Sequence, residues 1–182
     1  MDVPYYEQFD ESACVPVSLR MILAFWGVYK TEAQLYRDCQ TTRNGTSILG
    51  CVQATLQYQL TTELWLHPKV KPPLYKVLHT TSNFSPNVLA VLDSARILTD
   101  EQSAWQLLQQ TIDSGKPAIT FLNLGDSLLH VVVATDITTD GDTENVWVND
   151  PAVPDRHPMP LAKEGFLQAW QDACFYTVVL YR

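Results

Sequence analysis

The hydrophobic and polar positions divide the chain into a helical first part and a strand-rich last part. The run from Val15 to Trp26 is apolar on most sides and stops at Gly27, as a buried helix does when a glycine follows its last turn. Two shorter amphipathic stretches follow Thr31 and Ser47, whose hydroxyls suit the N-cap position. The pattern therefore predicts three helices within the first sixty residues.

The middle of the chain is harder to interpret. Prolines interrupt it from Leu64 to about Leu98, and it contains short β-leaning pieces such as "LYKVLHTT". Because loops over a rigid scaffold often carry recognition, we expect substrate specificity to reside here. A well-marked helix follows, with Thr99 as the predicted N-cap, Gln102 completing a capping box and Gly115 ending the helix.

The last third of the chain predicts a sheet. Runs of β-branched and aromatic residues are separated by Gly, Asp and Asn turns: "KPAITFLNL", "LLHVVVATDI", "NVWVND" and "CFYTVVLYR", with a short helix at "GFLQAWQ". Helices followed by consecutive strands favour an α+β fold, in which N-terminal helices pack on a largely antiparallel sheet. The length of 182 residues favours one domain spanning residues 1–182.

Composition and charge narrow the class of protein. The chain is 46% hydrophobic and 18% charged, which allows a substantial core, and its net charge of -8 argues against nucleic acid and anionic membranes as partners. We find neither a signal peptide nor a transmembrane run, so we expect a cytoplasmic protein. The four cysteines form no C-x-x-C pair, so reduced thiols are expected, with no zinc site.

Cys14 is the first candidate for chemistry. Pro16 fits the first turn of a helix, which places Cys14 at the helix N-terminus. The unpaired backbone N–H groups and the positive end of the helix dipole favour an anion there, and so favour a thiolate. The alternative is that Cys14, flanked by Val15 and Val17, is buried packing.

A thiolate enzyme needs a base, and histidine titrates near neutrality. His67 and His157 each lie beside a proline and His79 ends an uncertain strand, whereas His130 heads the strongest predicted strand, "HVVVATD". A histidine at a strand start is often structural, so position alone does not decide its role.

The following strand supplies a partner for His130. "HVVVATDITTDGDTENVWVNDP" reads as a hairpin, and folding it about Asp140 places Asp150 opposite His130. Opposed side chains have Cβ atoms roughly 4.5–5.5 Å apart, close enough for a carboxylate to orient an imidazole. Asp136 is a poorer partner, because six residues along a strand separate it from His130 by about 20 Å.

Acyl transfer also needs donors for an oxyanion. Gln8 precedes Cys14 by six residues and could supply its side-chain amide, with the Cys14 backbone N–H as a second donor. The spacing alone is weak evidence, because Gln168 precedes Cys174 by the same six residues. Cys174 leads into a strand and lacks an activating helix N-terminus.

Taken together, "VPYYEQ", "ACVPVSLRMILAFWG", "GTS", "HVVVATDI" and "VWVNDPA" resemble, in this order, the papain-like cysteine peptidases of the bacteriocin-processing type, family thirty-nine of the cysteine peptidases. The likeness spans nearly the whole chain and is greatest to stand-alone members. It implies a papain-like fold, with Cys14 as nucleophile, His130 as base and acid, Asp150 orienting His130, and Gln8 in the oxyanion hole.

The resemblance also implies a peptide or protein substrate and needs no metal or organic cofactor. The family commonly has Asp before the cysteine and Gly after it, where this chain has Ala13 and Val15. We expect the β-branched Val15 to narrow the approach to Cys14. Transporter-linked members cut leader peptides after a double glycine, but this chain has no membrane spans or nucleotide-binding motif, so that substrate is not implied.

Two alternatives stay open. An amidase, deamidase or acyl transferase could use the same acyl-enzyme, and a peptide-binding module could retain the cleft without turnover. The sequence leaves the cleavage specificity and the oligomeric state undetermined.

Overall fold

The computed structural model describes residues 1–81, 83–125 and 129–182. The helices in these ranges are α1 (Cys14–Phe25), α2 (Glu32–Asp38), α3 (Ile48–Thr55), α4 (Lys71–Thr80), α5 (Pro86–Asp93), α6 (Glu101–Asp113) and α7 (Lys163–Asp172), with a 3-10 turn at Pro68–Val70. The strands are β1 (Thr61–Leu66), β2 (Arg96–Ile97), β3 (Ala118–Asn123), β4 (Leu129–Asp140), β5 (Thr143–Asn149), β6 (Met159–Ala162) and β7 (Thr177–Tyr181). Leu128, the first residue of the predicted "LLHVVVATDI" strand, lies outside the described residues.

The strands form one sheet in the order β2-β1-β7-β3-β4-β5-β6. Every neighbouring pair is antiparallel except β1 and β2, which confirms the predicted α+β fold with a largely antiparallel sheet. β6 is an edge strand that we did not predict from the sequence.

Helices cover both faces of the sheet, and both faces of β4 therefore carry apolar side chains. Val131 and Val133 pack in a core that includes α1 and α3, whereas Val132 and Ala134 pack in a second core with residues of α6 and α7. Successive side chains of a strand point to opposite faces, so a strand buried on both sides reads as a continuous apolar run. The run "HVVVATD" therefore marks a central strand.

The helix α1 begins and ends within one residue of the prediction, and ten of its twelve residues are buried. Its neighbours are capped as predicted: Thr31 and Gln34 form a capping box at α2, and the Ser47 hydroxyl accepts from the backbone N–H of Gly50 at α3. The predicted N-cap of α6 is wrong. Asp100, not Thr99, caps that helix, because its carboxylate accepts the Ser103 N–H at 2.8 Å, a charge-assisted bond at the positive helix end.

The β-leaning interpretation of "LYKVLHTT" is also wrong, because all of these residues except the last, Thr81, belong to α4. Pro72 and Pro73 lie in the first turn of this helix, where backbone N–H groups have no helical acceptor and a proline costs little. No helix among residues 1–81, 83–125 and 129–182 is long and apolar enough to cross a membrane.

Candidate active site

Cys14 is the first residue of α1. The N-terminal end of this helix has no side-chain cap. The preceding residue, Ala13, has no side chain that can cap the helix, so the first backbone N–H groups have no side-chain acceptor from that position. Cys14 is only 6% exposed, yet it lines a cavity of about 320 Å³. The other walls of this cavity come from three parts of the chain: Glu11 and Ser12, the loop of residues 43–46, and Phe121, Leu129 and Val131 of β3 and β4.

His130 and Asp150 meet beside this helix end. His130 Nε2 lies 2.7 Å from Asp150 Oδ1, and the two side chains are 14% and 16% exposed. The same carboxylate oxygen accepts the Ala152 backbone N–H at 2.9 Å, which fixes the Asp150 side chain in a tight turn. Because Asp150 occupies Nε2, Nδ1 is the ring nitrogen left to face Cys14.

The strand register that brings these residues together differs from the predicted one. At the turn, Asp140 pairs with Thr143, and continuing that register would set Asp150 level with Val133. A bulge between Ala134 and Asp136 inserts one extra residue, so Val133 pairs with Asn149 instead.

The next position places Asp150 level with Val132, two residues along β4 from His130. Residues two apart on a strand share a face, and diagonal neighbours roughly 7–8 Å apart remain within reach of a long side chain. His130 and Asp150 therefore form a diagonal pair rather than the directly opposed pair that we predicted.

The surroundings of His130 act on its protonation in opposite directions. Burial lowers the pKa of the imidazole, while the hydrogen bond that it donates to Asp150, the hydrogen bond with the Cys14 side chain and the charges of both groups raise it, and the result is a pKa of about 9. The imidazolium form is therefore stabilised at neutral pH, next to a thiol that can carry the compensating negative charge.

Gln8 is tied to the segment that follows Asp150. Its backbone N–H donates to the Pro151 carbonyl at 2.9 Å, and the Asn149 side chain donates to the Val3 carbonyl at 3.0 Å, so the N-terminal segment lies along the end of β5. Gln8 Oε1 is buried and has no hydrogen-bond partner among the described residues. The Gln8 backbone is thus fixed beside the segment that follows Asp150.

The other histidines are engaged elsewhere. His67 caps the 3-10 turn by accepting the Lys69 N–H, His79 lies in α4, and His157 stacks on Tyr5 with its ring centroid 3.7 Å from that of Tyr5.

The other thiols differ from Cys14 as well. Burial raises the pKa of Cys51 to about 12 and that of Cys39 well above its ordinary value, so both remain neutral thiols. Cys174 follows α7 instead of opening a helix, and its upstream partner Gln168 donates to Asp172 on the same helix. Among the described residues, no group of three or more His, Cys, Asp and Glu side chains could hold a metal ion.

The expected narrowing of the approach by Val15 is wrong. Val15 is 1% exposed, packs in the core and does not line the cavity at Cys14. Its position in the first turn of α1 directs it into the core between helix and sheet, so the β-branched side chain does not obstruct the thiol. Sequence reasoning also missed the loop of residues 43–46 as a wall of the cavity, although its "NG" pair at residues 44–45 is a turn signal.

A buried helix that opens with a cysteine, packed against a sheet carrying a His–Asp pair, defines a cysteine peptidase-like domain. The family comparison gives the same class: residues 1–178 match the model described as the Peptidase_C39 like family. The chain belongs to this family. No curated protein matches the chain.

Solved structures share the fold at low sequence identity. A putative C39-like peptidase from Bacillus anthracis matches with a TM-score of 0.66 and 14% identity, covering 100% of this chain and 95% of that one. The peptidase domain of Streptococcus ComA, a bi-functional ABC transporter, matches with a TM-score of 0.61 and 17% identity over 97% of both chains. A double glycine motif protease from an AMS/PCAT transporter, in complex with the leader peptide, matches with a TM-score of 0.58 and 19% identity over 99% of this chain and 90% of that one.

Proposed function

We propose that the protein is a cysteine peptidase that hydrolyses a peptide amide through an acyl-enzyme on Cys14. The observation that carries the proposal is the position of His130 between the Asp150 carboxylate and the Cys14 thiol, with a pKa raised to about 9. Such an imidazolium provides the acid that the reaction needs, and its charge favours the thiolate form of Cys14 as the nucleophile.

The proposed reaction has two halves. The Cys14 thiolate attacks the carbonyl carbon, forming a C–S bond, and His130 then gives its proton to the leaving nitrogen as the C–N bond breaks. In the second half, neutral His130 takes a proton from water, whose oxygen attacks the thioester. Collapse of that intermediate breaks the C–S bond, releases the carboxylic acid and returns thiolate and imidazolium. Asp150 holds the ring orientation throughout.

Two donors are proposed for the oxyanion: the Gln8 side-chain amide and the backbone N–H of Cys14. The open N-terminus of α1 supports the second donor, and the backbone bond from Gln8 to Pro151 supports the first by holding Gln8 beside the segment after Asp150. Donors fixed before the reaction stabilise the developing charge without reorganisation.

The proposed substrate is a polypeptide segment. The cavity at Cys14 combines apolar side chains with backbone and polar groups of two loops, which suits an extended chain. The AMS/PCAT transporter protease that shares this fold was crystallised with a leader peptide, which supports a peptide ligand for this chain as well.

Alkylation of the thiols across pH tests the proposal. Iodoacetamide should label Cys14 readily at pH 6 and faster than it labels Cys174, which is partly exposed, heads no helix and serves as an internal reference. The Cys14→Ser variant should lose the fast phase. If Cys14 labels no faster than Cys174 at pH 6, the activated nucleophile does not exist and the peptidase proposal fails.

Intact-mass spectrometry then identifies the substrate class. After exposure to mixtures of peptides and small amides, a peptide acyl adduct on Cys14 is expected. An adduct formed only with non-peptide amides would instead assign an amidase or acyl transferase, and peptide binding without any adduct would assign a binding module.

A further inference from the structure

The loop that leads into Cys14 is held by a network of short hydrogen bonds. The Asp10 carboxylate accepts the Ser12 backbone N–H at 2.7 Å and the Ser12 hydroxyl at 2.6 Å. It also accepts the Tyr36 hydroxyl at 2.6 Å, which lies 2.6 Å from the Ser12 hydroxyl as well. The Asp10 carbonyl accepts the Ala13 N–H at 3.2 Å, so the turn closes one residue before Cys14.

Tyr36 connects this turn to another part of the molecule. It lies on α2, which leads into the loop of residues 41–46, part of which lines the cavity at Cys14. The Phe9 ring stacks on the Tyr36 ring with centroids 5.9 Å apart, so the aromatic ring and the hydroxyl both hold the turn. The network therefore joins the turn before Cys14 to the helix that leads into the second loop of the cavity.

The protonation states suit a permanent structural link. The hydrogen bonds from Ser12 and Tyr36 lower the pKa of Asp10, which keeps it a carboxylate. Burial and the bond to Asp10 raise the pKa of Tyr36 to about 12, which keeps it a hydroxyl donor. Asp10 thus stays a hydrogen-bond acceptor and Tyr36 a hydrogen-bond donor across the neutral range, so the link between them is kept.

The turn that this network holds adjoins the backbone N–H of Cys14. The turn of residues 10–13 meets the Cys14 peptide plane from its N-terminal side, because the adjoining Ala13 N–H donates to the Asp10 carbonyl at 3.2 Å, while the Ala13 carbonyl in that plane accepts the Val17 N–H at 3.0 Å. The thiol itself is set by α1 and by His130, and among the described residues the side chains of Asp10, Ser12 and Tyr36 make no hydrogen bond to either. Disturbing the turn should therefore redirect the Cys14 N–H more than the Cys14 sulfur.

We propose that Tyr36 and Asp10 are positioning residues that aim the Cys14 backbone N–H at the oxyanion. The inference rests on the proposed peptidase function. It predicts that the network contributes to transition-state stabilisation and contributes little to substrate binding or to the reactivity of the thiol.

The test removes the Tyr36 hydroxyl and keeps the ring, in Tyr36→Phe. We expect kcat on a peptide substrate to fall by between about tenfold and about a hundredfold, because misplacing a reacting group by a fraction of an ångström to one ångström has effects of this size. KM and the rate of Cys14 alkylation by iodoacetamide should change by less than about twofold, since neither uses the oxyanion donor. A peptide aldehyde, whose thiohemiacetal oxygen occupies the oxyanion position, should lose affinity by the same factor as kcat.

A matched control is Tyr75→Phe. Tyr75 also donates its hydroxyl to an aspartate, Asp93, but on α4 and α5, away from the cavity. This variant should retain kcat and aldehyde affinity. Asp10→Asn is the second variant and should reproduce the pattern of Tyr36→Phe, which keeps the test valid if one variant fails to fold.

An unchanged kcat in both variants overturns the inference, and so does a parallel loss of kcat and alkylation rate, which would mean that the network acts on the thiol. If the wild-type protein cleaves no peptide, the peptidase proposal fails separately. In that case, ¹⁵N-cysteine labelling decides the inference: Tyr36→Phe must shift the Cys14 amide resonance, assigned with Cys14→Ser, and an unchanged resonance overturns it.

Discussion

Replacing Asp150 with Asn tests the coupling between the His–Asp pair and the proposed nucleophile. The substitution keeps the size of the side chain and its ability to accept the Ala152 N–H, but it removes the negative charge 2.7 Å from His130 Nε2. Burial of the imidazole is unchanged, so the influence that lowers the pKa of His130 remains while the main one that raises it is lost.

The magnitude follows from the pKa of His130. Its value of about 9 exceeds the ordinary 6.5, a difference equivalent to roughly 3 kcal/mol in favour of the protonated form. Asp150 supplies this preference together with Cys14, and of the two hydrogen bonds that of Asp150 has the larger effect. We expect the alkaline limb of kcat/KM to move from about pH 9 in the wild type to between about pH 8 and pH 6.5 in Asp150→Asn.

The assay is kcat/KM for one peptide substrate from pH 5 to pH 10, with Cys14 alkylation at pH 6 measured in parallel. Asp136→Asn is the matched control: Asp136 lies on the same strand but is exposed, and its carboxylate accepts the neighbouring Ile137 N–H. Its limb should stay at about pH 9. A limb that stays at about pH 9 in Asp150→Asn as well would refute the reasoning, because the carboxylate would then not be what holds the proton on His130.

Three further predictions follow from the structure. Gln8→Ala should lower kcat by roughly 10²–10³ with an unchanged circular dichroism spectrum, since it removes a proposed oxyanion donor; an unchanged rate would remove Gln8 from the site. The wild type should be more stable than Asp150→Asn by up to about 3 kcal/mol below pH 6.5, and this difference should shrink as the pH rises through 9, because a raised histidine pKa stabilises only the protonated form; urea titrations at several pH values measure it. Val15→Gly should lower the free energy of unfolding by about 2–4 kcal/mol without raising kcat/KM, because the side chain is buried in the core; a faster enzyme would show that Val15 does restrict access.

The fold could be predicted where local chemistry decides it. The helix after Cys14, the caps Thr31 and Ser47 and the continuous apolar strand after His130 depend on periodicity and short-range hydrogen bonds, and all appear in the structure. The segment "LYKVLHTT" was misjudged because its residue types suit a strand, whereas two prolines in the first turn and packing of Leu74 in the core hold it in α4.

In the candidate site, too, features set by local sequence could be predicted and features set by tertiary packing could not. Residue types and order were enough to nominate Cys14, His130, Asp150 and Gln8 as candidates and to distinguish the context of Cys14 from that of Cys174, because helix position and strand position are local properties. The contribution of the acidic loop was not visible, because Asp10 and Tyr36 are 26 residues apart and meet only through the packing of α2 beside α1.

The sequence by itself determined which residues are candidates for the chemistry and which elements hold them, since both depend on contacts between near neighbours in the chain. Only the tertiary structure decided how they meet. The bulge between Ala134 and Asp136 shifts the register of β4 and β5 by one residue, and without that shift Asp150 would lie level with a residue on the other face of the strand from His130. Because side chains along a strand alternate between its two faces, one extra residue decides which face Asp150 shares. The presence of the bulge depends on how the paired strands twist and pack between two layers of helices.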